Sequence, residues 1–202
     1  MTRLNPVVFV LILVVLCGCT HLKIPFFHTK TDQAETDTLS DANILVANEF
    51  VDKGKIINRE RLQQQQNLSI YPFRAGVNVE ATDDLGKVAL MIVKGITDTF
   101  STDRSGKHAH FNILTAESAD PADLVIKGRI TNLAGPSAIK KWLPMTSQRS
   151  LGIAGKLVDA KTGEVIIIFT DSEITRDKYE DYSKLGYRIG MNIGQFILSG
   201  ID

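Results

Sequence analysis

Cysteine is almost absent from this chain. Two of its 202 residues are cysteine, and both, Cys17 and Cys19, lie near the start. From residue 20 onward there is therefore no thiol for a disulfide, a cysteine metal site or a cysteine nucleophile. A domain without disulfides outside the cytoplasm depends on its core for stability. Disulfide-stapled and cysteine-dependent classes of protein are thus excluded for most of the chain.

An excess of charge of either sign is also absent. Lysine plus arginine and aspartate plus glutamate each number 23, so the formal net charge is zero. Proteins that bind nucleic acid usually carry a strong basic excess. The composition therefore argues against a nucleic-acid partner.

The apolar run near the start is too short to cross a membrane. Val7–Leu16 is unbroken, but a spanning helix needs ~20 apolar residues. Its length suits the apolar region of a signal peptide, ~7–15 residues, and Arg3 supplies the positive start. We therefore expect a signal peptide, since an uncleaved anchor would need a longer stretch.

The residues that follow this run are Leu16-Cys17-Gly18-Cys19. They resemble the lipobox of bacterial lipoproteins. The resemblance implies that residues 1–18 are a signal peptide cut after Gly18, and that Cys19 carries a diacylglyceryl thioether and an acylated N-terminus, palmitate being the expected acyl group. An ordinary secreted protein is the alternative, and it fits less well because its cleavage site needs small residues at two positions before the cut.

The lipid on Cys19 decides where the mature protein should lie. More than one acyl chain gives stable anchoring, so we expect the protein to sit on a membrane without spanning it. Aspartate after the lipidated cysteine would suggest inner-membrane retention in many Gram-negative bacteria. By resemblance to that rule, Thr20 favours the outer membrane, with the protein facing the periplasm. No cofactor other than this covalent lipid is expected.

Behind Cys19 the chain divides by composition. Residues 19–66 are predicted to be the lipidated cysteine plus a polar tether and connector, in which Gly54 interrupts a weak helical stripe. Residues 67–202 are predicted to form one domain of ordinary size.

Two helices and several strands are predicted within residues 67–202. Apolar residues at three- and four-residue steps predict helices from Thr82 to Phe100 and from Tyr179 to Leu198. A tight turn with glycine is predicted at Lys161–Glu164. The order β-α-β-β-β-β-α predicts an α/β (α+β) two-layer sandwich, with a mixed four- to five-stranded sheet and two main helices on one face. The predicted strands cover residues 68–73, 111–114, 124–131, 150–158 and 165–169.

Three segments of this domain carry a family resemblance. Ile70–Phe73 ends in Pro-Phe, Ala122–Ile130 reads ADLVIKGRI, and Leu157–Val165 reads LVDAKTGEV. In this order they resemble the opening strand, the "ADLVI-G-I" strand and the "D-x-x-T-G-E-V" hairpin of the TolB-N/CsgG/LpoB group of periplasmic domains. The resemblance covers residues 67–202 and implies the fold predicted above.

The resemblance also implies a role without catalysis. Members of that group serve as secretion-channel subunits, polysaccharide-export accessories and activators of cell-wall synthases. This chain lacks the alternating segments of ~9–11 residues that transmembrane strands need, and it lacks a proline-rich linker. We therefore expect a non-enzymatic assembly or export accessory in the cell envelope that forms a homo-oligomer. The alternative is a tethered periplasmic regulator of a cell-wall synthase.

Candidate catalytic and metal sites are weak. His108 and His110 offer two imidazoles without the further ligands that a structural zinc site needs. Gly106-Lys107 is not a phosphate loop, because Ser101 and His108 stand where glycine and Ser/Thr are required. No G-x-S-x-G or H-E-x-x-H motif is present. We expect no metal, no catalytic residues and no enzymatic activity.

The last predicted helix carries a row of small residues. Gly186, Gly190 and Gly194 recur at four-residue spacing and would let another backbone approach closely. Polar residues interrupt the apolar pattern, so the segment is not transmembrane. Two uses remain open: close packing of this helix on the sheet of the same chain, or a helix–helix contact between subunits. The three glycines are thus candidate oligomer residues.

A loop with the single tryptophan of the chain is the second candidate surface. Lys141, Trp142, Leu143 and Met145 stand together between two predicted strands. Aromatic and apolar side chains beside cations suit a protein hot spot or a membrane interface. The alternative is that Trp142 folds under the loop and caps the core.

Overall fold

A computed structural model describes residues 45–77, 79, 83–101, 110–114, 120–135, 148–177 and 179–201. The secondary-structure elements among these residues are, in chain order, β1 (Val46–Ala47), β2 (Lys53–Ile56), α1 (Arg59–Gln64), β3 (Asn67–Ile70), β4 (Arg74–Ala75), α2 (Asp83–Ser101), β5 (Asn112–Leu114), β6 (Leu124–Ala134), β7 (Arg149–Asp159), β8 (Val165–Thr175) and α3 (Tyr182–Leu198).

The strands form one mixed eight-stranded sheet. Seven of them follow the order β1-β2-β8-β7-β6-β3-β5, and β4 pairs with β6 beyond the end of β3. The half from β1 to β6 is antiparallel. The contacts of β3 with β5 and β6, and of β4 with β6, are parallel. Strand β8 lies inside the sheet, between β2 and β7.

The predicted sandwich is confirmed, with more strands than expected. The predicted elements occur in the predicted order, but the sheet has eight strands instead of four or five. The additional strands β1, β2 and β4 are only two to four residues long, too short to leave a periodic pattern. Two of them belong to residues 45–66, the segment assigned to the connector, so the sheet begins before residue 67.

Gly54 is the residue that joins this early segment to the core. It pairs with Phe169 across β2 and β8. A Cβ at position 54 would overlap the ring of Phe196 from α3. Glycine therefore interrupts the helical pattern here because the ring of Phe196 lies directly over the backbone of β2.

Both long helices pack on the same face of the sheet, as predicted. Apolar residues along one side of α2 and of α3, among them Val88 and Leu185, are buried in the core. Ile92, Ile96, Ile189 and Ile193 are fully inaccessible to solvent. Their partners in the sheet include Ile126, Leu157 and Phe169, so the two layers share one hydrophobic core.

The predicted turn between β7 and β8 is confirmed. Gly163 adopts a φ of 74°, a conformation that glycine reaches without a steric penalty. The Asp159 carboxylate accepts hydrogen bonds from the backbone N–H groups of Lys161 and Thr162, both at 2.8 Å. Arg61 of α1 forms an ion pair with the same carboxylate at 2.7 Å. One side chain thus shapes the turn and holds α1 against the sheet.

Candidate interaction surfaces

The three glycines of α3 are buried against α2 of the same chain. Gly186 faces the backbone of Val88, and Gly194 faces the side chain of Thr99. A Cβ on Gly190 would overlap the carbonyl oxygen of Ile92. Because the contacts advance along both helices in the same direction, α2 and α3 run parallel.

A fourth glycine completes this seam from the other side. A Cβ on Gly190 would lie 2.9 Å from the Cα of Gly95, and a Cβ on Gly95 would lie 3.0 Å from the Cα of Gly190. It would also overlap the carbonyl oxygen of Tyr187. At this crossing the two backbones touch without intervening side chains.

The prediction of an oligomer surface at Gly186, Gly190 and Gly194 is therefore wrong. The backbone of α2 already occupies the space that the missing side chains leave, so no second subunit can use it without separating the helices. Of the two uses left open, packing within the chain is the observed one, and the partner is a helix rather than the sheet.

The second candidate surface lies outside the described residues. Lys141, Trp142, Leu143 and Met145 belong to residues 136–147, and Cys19 belongs to residues 1–44; the structure describes neither range. Both ends of the 136–147 segment are nevertheless located, because it joins β6 to β7. Gly135 and Arg149 therefore mark where the tryptophan segment leaves and rejoins the sheet.

Both ends of that segment contact the start of α3. The hydroxyl of Tyr182 lies against Gly135, where a Cβ would overlap it. Arg149 donates hydrogen bonds to the backbone carbonyls of Asp177 and Glu180, at 3.4 Å and 3.1 Å. The two strand ends are thus fixed to one helix terminus. Gly135, Arg149, Glu180 and Tyr182 are called the loop base below.

Charge pairing stabilises the loop base. Arg188 of α3 forms an ion pair with Glu180 and a second one with Glu173 of β8, at 3.3 Å. Hydrogen bonding from Arg188 lowers the pKa of Glu180. The carboxylate remains ionised at neutral pH and keeps the chain between β8 and α3 attached to the helix.

Two strongly exposed apolar side chains lie at the same end of the sheet. Val77 follows β4 and is 96% exposed, and Tyr179 precedes α3 and is 79% exposed. Gly76 donates a backbone hydrogen bond to Ile130, near the end of β6. The end of the sheet that carries the tryptophan segment therefore also presents exposed apolar groups.

A buried carboxyl group was not anticipated from the sequence. Asp171 of β8 is 4% exposed and accepts hydrogen bonds from Asn192 of α3 at 3.0 Å and from the backbone N–H of Asp52 at 3.2 Å. Burial raises its pKa to about 6, against the effect of these donors. Its one signal in the sequence is an aspartate two residues after the apolar run Val165–Phe169.

Neither a metal cluster nor a membrane-spanning helix occurs in the described part of the chain. There, no three His, Cys, Asp or Glu side chains come together as metal ligands. No helix among these residues combines the length and apolar character needed to cross a membrane. His108 lies outside the described residues, and His110 contacts the ring of Phe111 edge to face.

Comparison with known proteins finds similarity in structure alone. No family model matches the chain, and no curated protein is significantly similar in sequence. The PelC dodecamer from Paraburkholderia phytofirmans aligns with a TM-score of 0.45 at 13% identity, over 74% of this chain and 94% of that one. Protein XCC0632 from Xanthomonas campestris aligns with a TM-score of 0.42 at 13% identity, over 67% and 85%.

A bacterial lipoprotein is among the aligned structures as well. Lipoprotein GNA1162 from Neisseria meningitidis aligns with a TM-score of 0.40 at 11% identity, over 65% of this chain and 97% of that one. These TM-scores and identities are too low to indicate what the present chain binds or does.

Proposed function

We propose that this chain is a lipid-anchored protein of the outer membrane that faces the periplasm and acts by binding, as a non-enzymatic accessory for assembly or export in the cell envelope. The lipobox-like ending at Cys19 supports the anchor. The resemblance of residues 67–202 to the TolB-N/CsgG/LpoB group supports the class of role. The proposal includes no cofactor besides the covalent lipid and no catalytic residues.

The loop base is the observation that carries this proposal. Both ends of the segment with Trp142 contact the first residues of α3, through Tyr182 at one end and Arg149 at the other. A binding segment whose ends are fixed loses less conformational entropy when its partner binds. Tryptophan, arginine and tyrosine are also the residue types that contribute most to binding energy at protein interfaces.

The proposed partner at this end is a second copy of the chain. The glycine seam is already filled, so oligomer formation must use another surface. Exposed Val77 and Tyr179 stand at the same end as the tryptophan segment, and apolar groups that are wet in the monomer gain free energy when another subunit covers them.

The mass of the full lipoprotein in detergent, measured by light scattering on a sizing column, tests this proposal. We expect one discrete oligomer whose mass falls to that of the monomer on Trp142→Ala. Leu90→Ala is the matched control, because Leu90 is also apolar and 64% exposed but lies on α2; it should leave the oligomer intact.

Two results would contradict the proposal. If every sample is a monomer, then the proposed homo-oligomer does not form, and the tethered regulator of a cell-wall synthase is favoured instead. If the oligomer persists in Trp142→Ala and also in Tyr179→Ala, then its interface does not lie at the end of the sheet that carries the loop base.

A further inference from the structure

Strand register places six cations on the sheet face that the helices leave open. Residues that pair across strands point to the same side. One row crosses β2, β8, β7 and β6 as Lys55, Ile168, Lys156 and Lys127. The next row crosses β2, β8, β7, β6 and β4 as Lys53, Thr170, Ala154, Arg129 and Arg74. These two rows are called the basic face below.

The helices lie on the opposite side. Phe169, between Ile168 and Thr170, pairs with Gly54, and the ring of Phe196 from α3 covers that glycine. Asp171 binds Asn192 of α3. Because side chains alternate along a strand, Ile168 and Thr170 point away from the helices, and their cross-strand partners do the same.

Acidic residues are absent from the two rows. The acids of β8 stand on the helix side, where Asp171 meets Asn192 and Glu173 meets Arg188. The alternation of β8 thus places its own carboxylates on one face and the pairing positions of the lysines on the other. One acid borders the rows: the Asp52 carboxylate accepts a hydrogen bond from Ser172, the next residue of β8 on the open side. Zero net charge over the whole chain conceals this separation.

Two pairs of cations on the basic face stand opposite each other on neighbouring strands. Lys127 and Lys156 are directly opposed on antiparallel strands, and like charges in that position repel. Arg74 and Arg129 are paired in the same way on parallel strands. The register thus concentrates positive charge on this face, where it can attract a partner of opposite charge.

The basic face also includes an aromatic side chain. Tyr71 is 50% exposed, and the Nζ of Lys127 lies 5.9 Å from the centre of its ring. Half-exposed tyrosine beside lysine is typical of a surface that meets the headgroup region of a bilayer.

The chain enters the sheet beside this face. Residues 20–44 separate Cys19 from Leu45, where the described structure begins, and β1 then pairs with β2, the strand of Lys53 and Lys55. The 25 residues of this segment span at most ~90 Å. The proposed lipid anchor would therefore keep these cations within reach of the headgroups.

We propose that the basic face binds anionic phospholipid headgroups, so that the anchored domain lies with this face against its own membrane. The inference rests on the proposed lipid anchor. Clusters of cations beside a membrane anchor are attracted to anionic lipid surfaces, and each cation near such a surface strengthens binding about fivefold.

A single fluorescent label on the full lipoprotein tests this inference. The proposed mature chain has no cysteine beyond Cys19, whose sulfur is blocked as the diacylglyceryl thioether, so Thr170→Cys adds one reactive thiol within the basic face. Leu90→Cys on α2 is the matched control. Both labelled proteins are placed in vesicles of phosphatidylcholine, or of phosphatidylcholine with an equal amount of phosphatidylglycerol, with a quencher on the lipid headgroups.

We expect quenching at position 170 in the anionic vesicles, little in the neutral ones, and little at position 90 in either. Salt should abolish the difference, because screening weakens exposed charge interactions. The double substitution Lys55→Gln with Lys127→Gln should shift the equilibrium away from membrane contact. The ratio of domains whose basic face lies on the membrane to anchored domains whose basic face does not should fall about twenty-five-fold. Lys87→Gln with Lys94→Gln, the same charge change on α2, should leave it unchanged.

Failure of the anchor and failure of the basic face give different results. Flotation of the vesicles on a density gradient shows whether the protein is membrane-bound at all. A protein that floats with neither kind of vesicle would contradict the lipid anchor and with it the proposed function. A protein that floats with both but shows equal quenching at position 170 would overturn the basic face alone. An acidic polysaccharide that carries the quencher is the last comparison. If it quenches the label at position 170 while anionic vesicles do not, the proposal of headgroup binding is overturned, and the ligand of the basic face is a soluble acidic polymer.

Discussion

The two faces of the sheet are built on opposite principles. On the helix face, close contacts and charges have visible partners: Gly190 meets the backbone of α2, Asp171 meets Asn192, and Asp159 meets Arg61. On the basic face, Lys127 stands directly opposite Lys156. The first face accounts for why the chain folds. The second gathers cations from separate strands onto one surface, and it is therefore the face to examine for binding.

The largest expected effect is on the glycine seam. Gly190→Ala should lower the free energy of unfolding by about 3 kcal/mol or more, because the new methyl group overlaps the carbonyl of Ile92 and neither backbone can move aside cheaply. Chemical denaturation measures this loss.

Gly86→Ala is the matched control for the seam, since a Cβ there meets nothing within 4 Å. It should stabilise the protein by about 0.5–1 kcal/mol, because alanine favours the helix. Equal effects of the two substitutions would show that helix propensity, and not the close crossing, governs this seam.

The next effect concerns Asp171 and appears as a dependence on pH. Its pKa is raised from 3.8 to about 6, so the unfolded chain releases this proton at a lower pH than the folded one. Stability should therefore fall by about 3 kcal/mol as the pH rises through this window, and level off above it.

Asp171→Asn should remove that slope, while Glu173→Gln on the same strand should retain it. Denaturation at a series of pH values measures both. A slope that persists in Asp171→Asn would assign the titration to another group.

Asp159 should behave in the opposite way. Hydrogen bonds from the backbone of Thr162, with Arg61 and the backbone of Lys161, lower its pKa from 3.8 to about 2. Its contribution is complete above the unfolded pKa and is lost as the pH falls towards 2. Asp159→Asn should cost about 1–2 kcal/mol at neutral pH, and the cost should shrink in acid. An undiminished cost at low pH would contradict the role of the charge.

The smallest effect on stability is expected on the basic face. Lys55→Gln with Lys127→Gln should change the free energy of unfolding by only a few tenths of a kcal/mol, towards higher stability, because a repulsion is relieved. Thermal melting at low salt measures it. A loss of more than about 1 kcal/mol would make these lysines part of the folding machinery and would remove the contrast between the faces.

Much of the fold could be predicted because its signals are local. The three- and four-residue steps of α2 and α3 and the glycine turn after Asp159 are visible in the sequence, and their order defines the sandwich. Other features depend on distant partners. Strand β8 continues past Phe169 because Asp171 and Glu173 find Asn192 and Arg188 on α3, which no window around β8 reveals.

The candidate surfaces show the same limit. The glycine spacing on α3 correctly indicated a close contact, but the sequence could not say that α2 is the partner, since Gly95 lies far away along the chain. The basic face required the register of the whole sheet, because its cations come from four separate strands, β2, β4, β6 and β7, and β8 lies between β2 and β7. The separation of charge between faces is invisible in a composition with equal numbers of acids and bases.

Both proposals depend on the anchor at Cys19, and the intact mass of the mature protein tests it most directly. The account predicts a polypeptide that begins at Cys19 and is heavier than residues 19–202 by a diacylglyceryl group and an N-terminal acyl chain. A mature chain without added lipid, or one cut at another position, would contradict it.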